Sequence, residues 1–246
     1  MASTSYDLSS ITSVGYNGTS LSEVLLDGTS IWTPRVSVTV TIAANTNNYT
    51  LNPAAVAGYS AGLTDVSFVI NSGVVVGSAS TGSPALTISG FAAGDALSIT
   101  NNGHIVGKGG TGGNNNSAGG AGGTAINASF AFSITNSGTV GGGGGGGGGR
   151  NNYTYNCTTD FRTPQTCNAR GGGGGGGAGY GAVAWNGTVG SLATGGAGGS
   201  VGGGAGGSLG AGGSSSNQAG GGGGDYITGM SFATWTTIGT RLGSAT

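Results

Sequence analysis

The stretch RNNYTYNCTTDFRTPQTCNAR, residues 150–170, concentrates the side chains of this chain that are best suited to gripping another molecule. It holds three of the five arginines (Arg150, Arg162, Arg170) together with Asn152, Tyr153, Tyr155 and Phe161. Tyrosine and arginine dominate binding hot spots because they give large area and directed hydrogen bonds at low entropy cost. The competing role for the arginines is to cap glycine segments by donating to their free carbonyls. Both cysteines, Cys157 and Cys167, lie in the same loop. A disulfide between them would preorganise it; in a reducing compartment they would be two free thiols.

Catalysis finds no comparable concentration. The one histidine, His104, sits beside an Asn-Gly turn, and the seven carboxylates are spread from Asp7 to Asp225, with Glu23 the only glutamate. Acid–base or metal chemistry needs converging titratable groups, so neither an enzyme nor a metal or other cofactor is expected. GKGGTGG (107–113) lacks the order of a phosphate-binding loop and any helix after it. With a net charge of −1 and no Lys/Arg cluster, nucleic acid is not an expected partner either. No apolar run approaches the roughly 20 residues of a membrane span. MASTSYDLSS lacks the regions of a signal peptide. The expectation is a chain made in the cytoplasm without membrane insertion.

The elements that must hold the loop are unusual. Of 246 residues 61 are glycine and only 5% are charged, yet 35% are hydrophobic. Disordered chains carry few apolar residues and a high net charge, so an ordered glycine structure is expected. Glycine-rich tracts occupy roughly 107–113, 118–123, 141–149, 171–181, 195–213 and 220–224. Collagen is excluded by the four prolines and the unbroken glycine runs. The polyproline-II conformation, three residues per turn with no internal hydrogen bonds, remains open to glycine. Its N–H and C=O groups point sideways and need partners when buried, which neighbouring rods supply. Such rods bring almost no apolar area while glycine loses the most conformational entropy. Flanking β segments are therefore expected to clamp them, with Ala, Ser and Thr confined to outward positions.

Those β segments are legible. Asn17-Gly18 and Asp27-Gly28 between apolar residues predict two-residue hairpins within 1–35. Val36, Val38, Val40 and Ile42 alternate with polar residues as a half-buried strand does, opening an all-β module over 36–106. SITNNGHIVGKGG and SITNSGTVGGGGG share a strand, an Asn-x-Gly turn and an exit into glycine. No stretch has helical periodicity. The fold class expected is mainly irregular and all-β: a β-module followed, over 107–246, by a bundle of polyglycine-II helices with protruding loops. Chain direction alternates at each turn, which puts Asn114–Ser117 and Arg150–Arg170 at the far end and Thr124–Val140 at the near end. The small polar turns NNNS (with Asn114, Asn115, Asn116) and SSSNQ (with Ser215, Asn217) are candidates for the same tip. Trp185 above an Asn-Gly turn is either an exposed anchor or a hydrophobic plug.

NNGHIVGKGGTGGNNNSAGGAGG, ITNSGTVGGGGGGGGGR, AGGSSSNQAGGGGG and WTTIGTRLG, in this order, resemble the distal long-tail-fibre adhesins of T-even-like phages. The resemblance covers about residues 99–246. It implies a polyglycine-II sandwich on the virion, at the tip of a tail fibre or tail. It further implies two partners, a phage tail-fibre or tail-tip protein and a bacterial outer-membrane protein of porin type bound through variable loops. The hairpin unit VGYNGTSLSEVLLDGTSIW departs from that pattern and looks like a more general virion attachment element. A glycine-rich ice-binding protein should instead show regular tripeptides with a flat Ala/Thr face. A purely structural connector would have no use for loops rich in Tyr and Arg.

Overall fold

The computed structural model describes residues 14–21, 23–27, 29–114, 116–156, 166–169, 179, 187–199 and 202–246, with backbone alone for 16, 19, 29, 30, 153–156 and 166–169. Two hairpins come first. β1 (Gly15–Tyr16) pairs with β2 (Thr19–Ser20), and β3 (Val24–Leu26) pairs with β4 (Thr29–Trp32), both antiparallel. Asn17 and Gly18 have φ of 50° and 78°, and Asp27 has φ of 50°. Left-handed residues of this kind are what a tight two-residue turn needs.

From Val36 the chain winds through three parallel sheets in strict rotation, the arrangement of a three-sided β-solenoid. The first course is β5 (Val36–Ile42), β6 (Thr46–Asn47) and β7 (Tyr49–Leu51), and the second β8 (Thr64–Ile70), β9 (Val75–Gly77) and β10 (Leu86–Ile88). The third is β11 (Ala96–Asn101), β12 (His104–Val106) and β13 (Ile126–Ala128). The fourth runs β14 (Phe132–Asn136) and β15 (Thr139–Gly141), makes a long excursion carrying the hairpin β16 (Tyr153–Asn156) and β17 (Thr166–Ala169), and returns in β18 (Ile227–Thr228). β19 (Ala233–Thr237) and β20 (Thr240–Leu242) begin the fifth. The sheets are ordered β19-β14-β11-β8-β5, β20-β15-β12-β9-β6 and β18-β13-β10-β7. The change of sequence at 106/107 is thus no break in the sheets, which continue to the last residues; Ala245 bridges to Ile227.

Period-two alternation sends one face of each strand inward. Val66, Phe68 and Ile70 of β8 are buried, as are Leu97 and Ile99 of β11 and Phe132 and Ile134 of β14. In-register pairing stacks them: Val40, Phe68, Ile99, Ile134 and Trp235 form one inward column. Two residues further along each strand, at the next inward position, the column changes from Ile42 and Ile70 to Asn101 and Asn136. Both asparagines are fully buried. Asn101 Nδ2 donates to Asn136 Oδ1 at 2.8 Å, and Asn136 Nδ2 to the Ile238 carbonyl at 2.8 Å. These are the Asn-x-Gly turns of the two echoed motifs, stacked on one another as an amide ladder that satisfies its own polar groups. Arg35 grips Asp65 with two guanidinium nitrogens (3.0 and 2.6 Å), tying the first course to the second.

Both glycine excursions leave and re-enter at the same corner of the solenoid, after β12 and after β15. The tract 142–149 is buried at every residue and serves as a hub. Gly107, Gly110 and Gly113 donate N–H bonds to the carbonyls of Gly141, Gly144 and Gly147. Gly143, Gly146 and Gly149 donate to Gly123, Gly120 and Ser117 and accept from Gly224, Gly221 and Gln218. Gly142, Gly145 and Gly148 accept from Gly210, Gly207 and Gly204. Partners recur every third residue, the period of a polyproline-II helix. Ala118, Ala121, Ala205, Ser208, Ala211 and Ala219 in and beside the tracts are exposed, whereas Lys108 is half-buried and Leu209 is buried against Val106 and Leu192.

Candidate functional site

The hydrogen-bond register fixes which loops meet. Gly107, Gly142, Gly210 and Gly224 lie level with one another beside the solenoid, where Gly142 N–H donates to the Leu242 carbonyl. Gly113, Gly149, Gly204 and Gln218 lie level at the opposite end. Strand directions agree: 107–113 and 141–149 run outward together, while 117–123, 204–210 and 218–224 pair with the hub in the reverse sense. Turns at 114–117 and 215–217, the turn containing Gly202 and the entrance to the β16–β17 hairpin therefore share the far end. Thr124–Val140 belongs to the solenoid, at the near end.

Of the residues expected at the tip, Asn114, Asn116, Asn152, Ser215 and Asn217 are exposed there and Arg150 is half-buried. The 114–117 turn is held locally, by Asn114 N–H on Ser117 Oγ (2.9 Å) and Asn116 N–H on Asn114 Oδ1 (3.1 Å). Tyr153 and Tyr155 lie on β16, opposite Ala169 and Cys167 of β17. Asn115, Cys157, Phe161, Arg162, Arg170 and Trp185 fall outside the described residues, and with Cys157 the question of a Cys157–Cys167 bridge. The sequence reading omitted two contributors. Asn151 Oδ1 accepts from Gln218 Nε2 at 2.6 Å, and the Gly202 carbonyl accepts from Ser216 Oγ at 2.6 Å. No local signal marks Asn151 or Gly202, because each matters only through partners 14 or more positions away.

Elsewhere the titratable groups do structural work. Burial alone would raise the Asp95 carboxyl, but the Tyr59 hydroxyl (2.6 Å) and the N–H groups of Thr64 and Ala92 donate to it and hold it below the ordinary carboxylate value. His104 is half-buried on β12, in register with Val75 and Thr139. Among the described residues no three His, Cys, Asp or Glu side chains converge as a metal site would require. No described helix is long and apolar enough to cross a membrane.

Comparison with known proteins bears on what such a tip is for. The crystal structure of the gp37–gp38 adhesin tip complex of the bacteriophage S16 long tail fibre superposes with a TM-score of 0.60 at 26% identity, over 87% of this chain and 83% of that one. A search of curated proteins gives no match. The model of the family described as phage tail fibre adhesin Gp38 matches residues 37–246. From within β5 to the last residue, solenoid and glycine lattice alike, the chain belongs to the Gp38 family of phage tail fibre adhesins.

Proposed function

We propose that the far end of the glycine lattice is the receptor-binding surface of this adhesin and that it engages a protein of the bacterial outer membrane. The observation that carries this reading is the convergence of four segments, distant in sequence, on the end of the lattice remote from the solenoid. They carry exposed Asn and Ser side chains and the half-buried Arg150 at the foot of a hairpin that contains Tyr153 and Tyr155, residue types that suit recognition, and the scaffold beneath them is held largely by main-chain bonds. The three-residue period of the hydrogen bonds supports reading the tracts as polyglycine-II rods. The N-terminal hairpins and the solenoid mount the adhesin on a tail-fibre protein, in keeping with the complex formed by the S16 relative. Leu25, Leu26 and Ile31, exposed on the second hairpin, supply apolar surface for that contact.

The test is competition. Purified chain added to host cells should block phage adsorption, and a variant with Tyr153, Tyr155 and Phe161 changed to Ala should lose that ability while its thermal transition stays in place. Undiminished competition by the triple variant would remove the hairpin loop from the receptor surface.

A further inference from the structure

Resting on the receptor reading, we infer that Gln218 and Ser216 are positioning residues which clasp the far-end loops together and set where the β16–β17 hairpin is presented. The turn 215–217 is short and doubly anchored. Gln218 N–H donates to the Gly149 carbonyl (3.0 Å), and the Gln218 carbonyl accepts from Ser216 N–H (2.9 Å). From this base two side chains reach sideways. Gln218 Nε2 holds Asn151 Oδ1, two residues before β16 begins, and Ser216 Oγ holds the Gly202 carbonyl. Arg150 closes the arrangement from beneath. A Cβ at Gly202 would lie 2.7 Å from Arg150 Nη1 and 3.0 Å from its Cδ, and Gly202 has φ of +91°. The left-handed conformation favours glycine at that turn, and the absence of a side chain leaves room for Arg150 to lie against it. A two-stranded hairpin is marginal alone, so what holds its stem decides how much of its ordering is complete before the receptor arrives. The clasp is made of neutral groups, and it keeps its strength across salt concentrations that screen surface ion pairs.

The experiment compares full-length Gln218→Leu and Gln218→Glu with the parent. Amide exchange of the free protein is read at 151–156, and adsorption competition on host cells is read in parallel. Gln218→Leu, which keeps the bulk and loses the donor, should speed exchange at 151–156 several-fold, leave 142–149 as protected as in the parent, and weaken competition about tenfold. Gln218→Glu accepts from the Asn151 amide after that amide turns over, and should restore both readouts. Unchanged exchange at 151–156 in Gln218→Leu would overturn the clasp. Faster exchange with full competition would overturn its positioning role. In that case the Tyr153, Tyr155 and Phe161 variant shows separately whether the receptor reading itself stands, since that variant leaves Gln218 and Asn151 in place.

Discussion

Single side chains in this molecule act mainly by satisfying buried polar groups, and two of them give sharp expectations. Asn136 accepts from Asn101 and donates to the carbonyls of Ile238 and Thr240 from a fully buried position. Asn136→Ala strands those partners, and a stranded buried polar group costs about 1–3 kcal/mol; a fall in the urea midpoint of that size, with an unchanged slope, is expected. Asp95, at the entrance to the third course, joins it to the start of the second through Tyr59 and Thr64. Its carboxyl is depressed in the folded state. Its stabilising contribution is therefore complete above the ordinary carboxylate value of about 3.9 and is lost as pH falls from there through the folded value. Asp95→Asn should be less stable than the parent at neutral pH and show a shallower loss of stability below about pH 4, read from denaturation midpoints across that range. Neither role was open to sequence reasoning. The Asn-x-Gly echo announced a repeated turn, but that the two asparagines bond to each other follows from parallel register, which no single motif encodes.

At the scale of elements the lattice and the solenoid divide the labour. Strands β5, β8, β11 and β14 supply alternating inward hydrophobes and a conventional core. Apart from Leu209, packed against Val106, the described glycine tracts supply mainly main chain, and their order rests on hydrogen bonds between 142–149 and the segments around it. Glycine at the hub is a steric demand. A Cβ at Gly145 would fall on the Gly221 carbonyl, whereas one at Gly222 would meet nothing within 4 Å. Gly145→Val is accordingly expected to abolish soluble, cooperatively melting protein and Gly222→Ala to be tolerated; a Gly145→Val chain with the parental melting temperature would remove the close packing. This division was largely readable from composition. Alternation located the early strands, and the Asn-Gly and Asp-Gly turns located the hairpins. The rotation of strands among three sheets was not readable, because parallel partners are far apart in sequence, from Val36 and Thr64 to Ile126 and Ile227, and strands such as β6, β7, β9 and β10 are short. Nor was the return of 226–246 to the solenoid, since a β-type sequence after glycine gives no hint of which edge it joins.

For the whole molecule the consequence is a separation of ends. The chain leaves the solenoid twice at one corner, crosses the lattice, turns, and comes back, so that among the described residues the turns at 114–117 and 215–217 are flanked by lattice segments on both sides. Loop sequence can then vary without disturbing the core, as loops carried on a rigid scaffold do. The alternation of direction predicted the far-end position of 114–117 and of the entrance to the 150–170 loop. The placement of 215–217 needed the structure, because the number of rods within 195–213 is not countable from glycine spacing. On the proposed function, this separation lets a tail fibre adhesin be held at one end and reach with the other. The most direct measurement is amide exchange of the intact chain with and without outer-membrane vesicles from a host strain that the phage adsorbs to. The account predicts new protection confined to 114–117, 150–156 and 215–218, with Thr124–Val140 and the solenoid strands unchanged. Protection appearing on the solenoid faces, with the far-end loops exchanging as before, would contradict it.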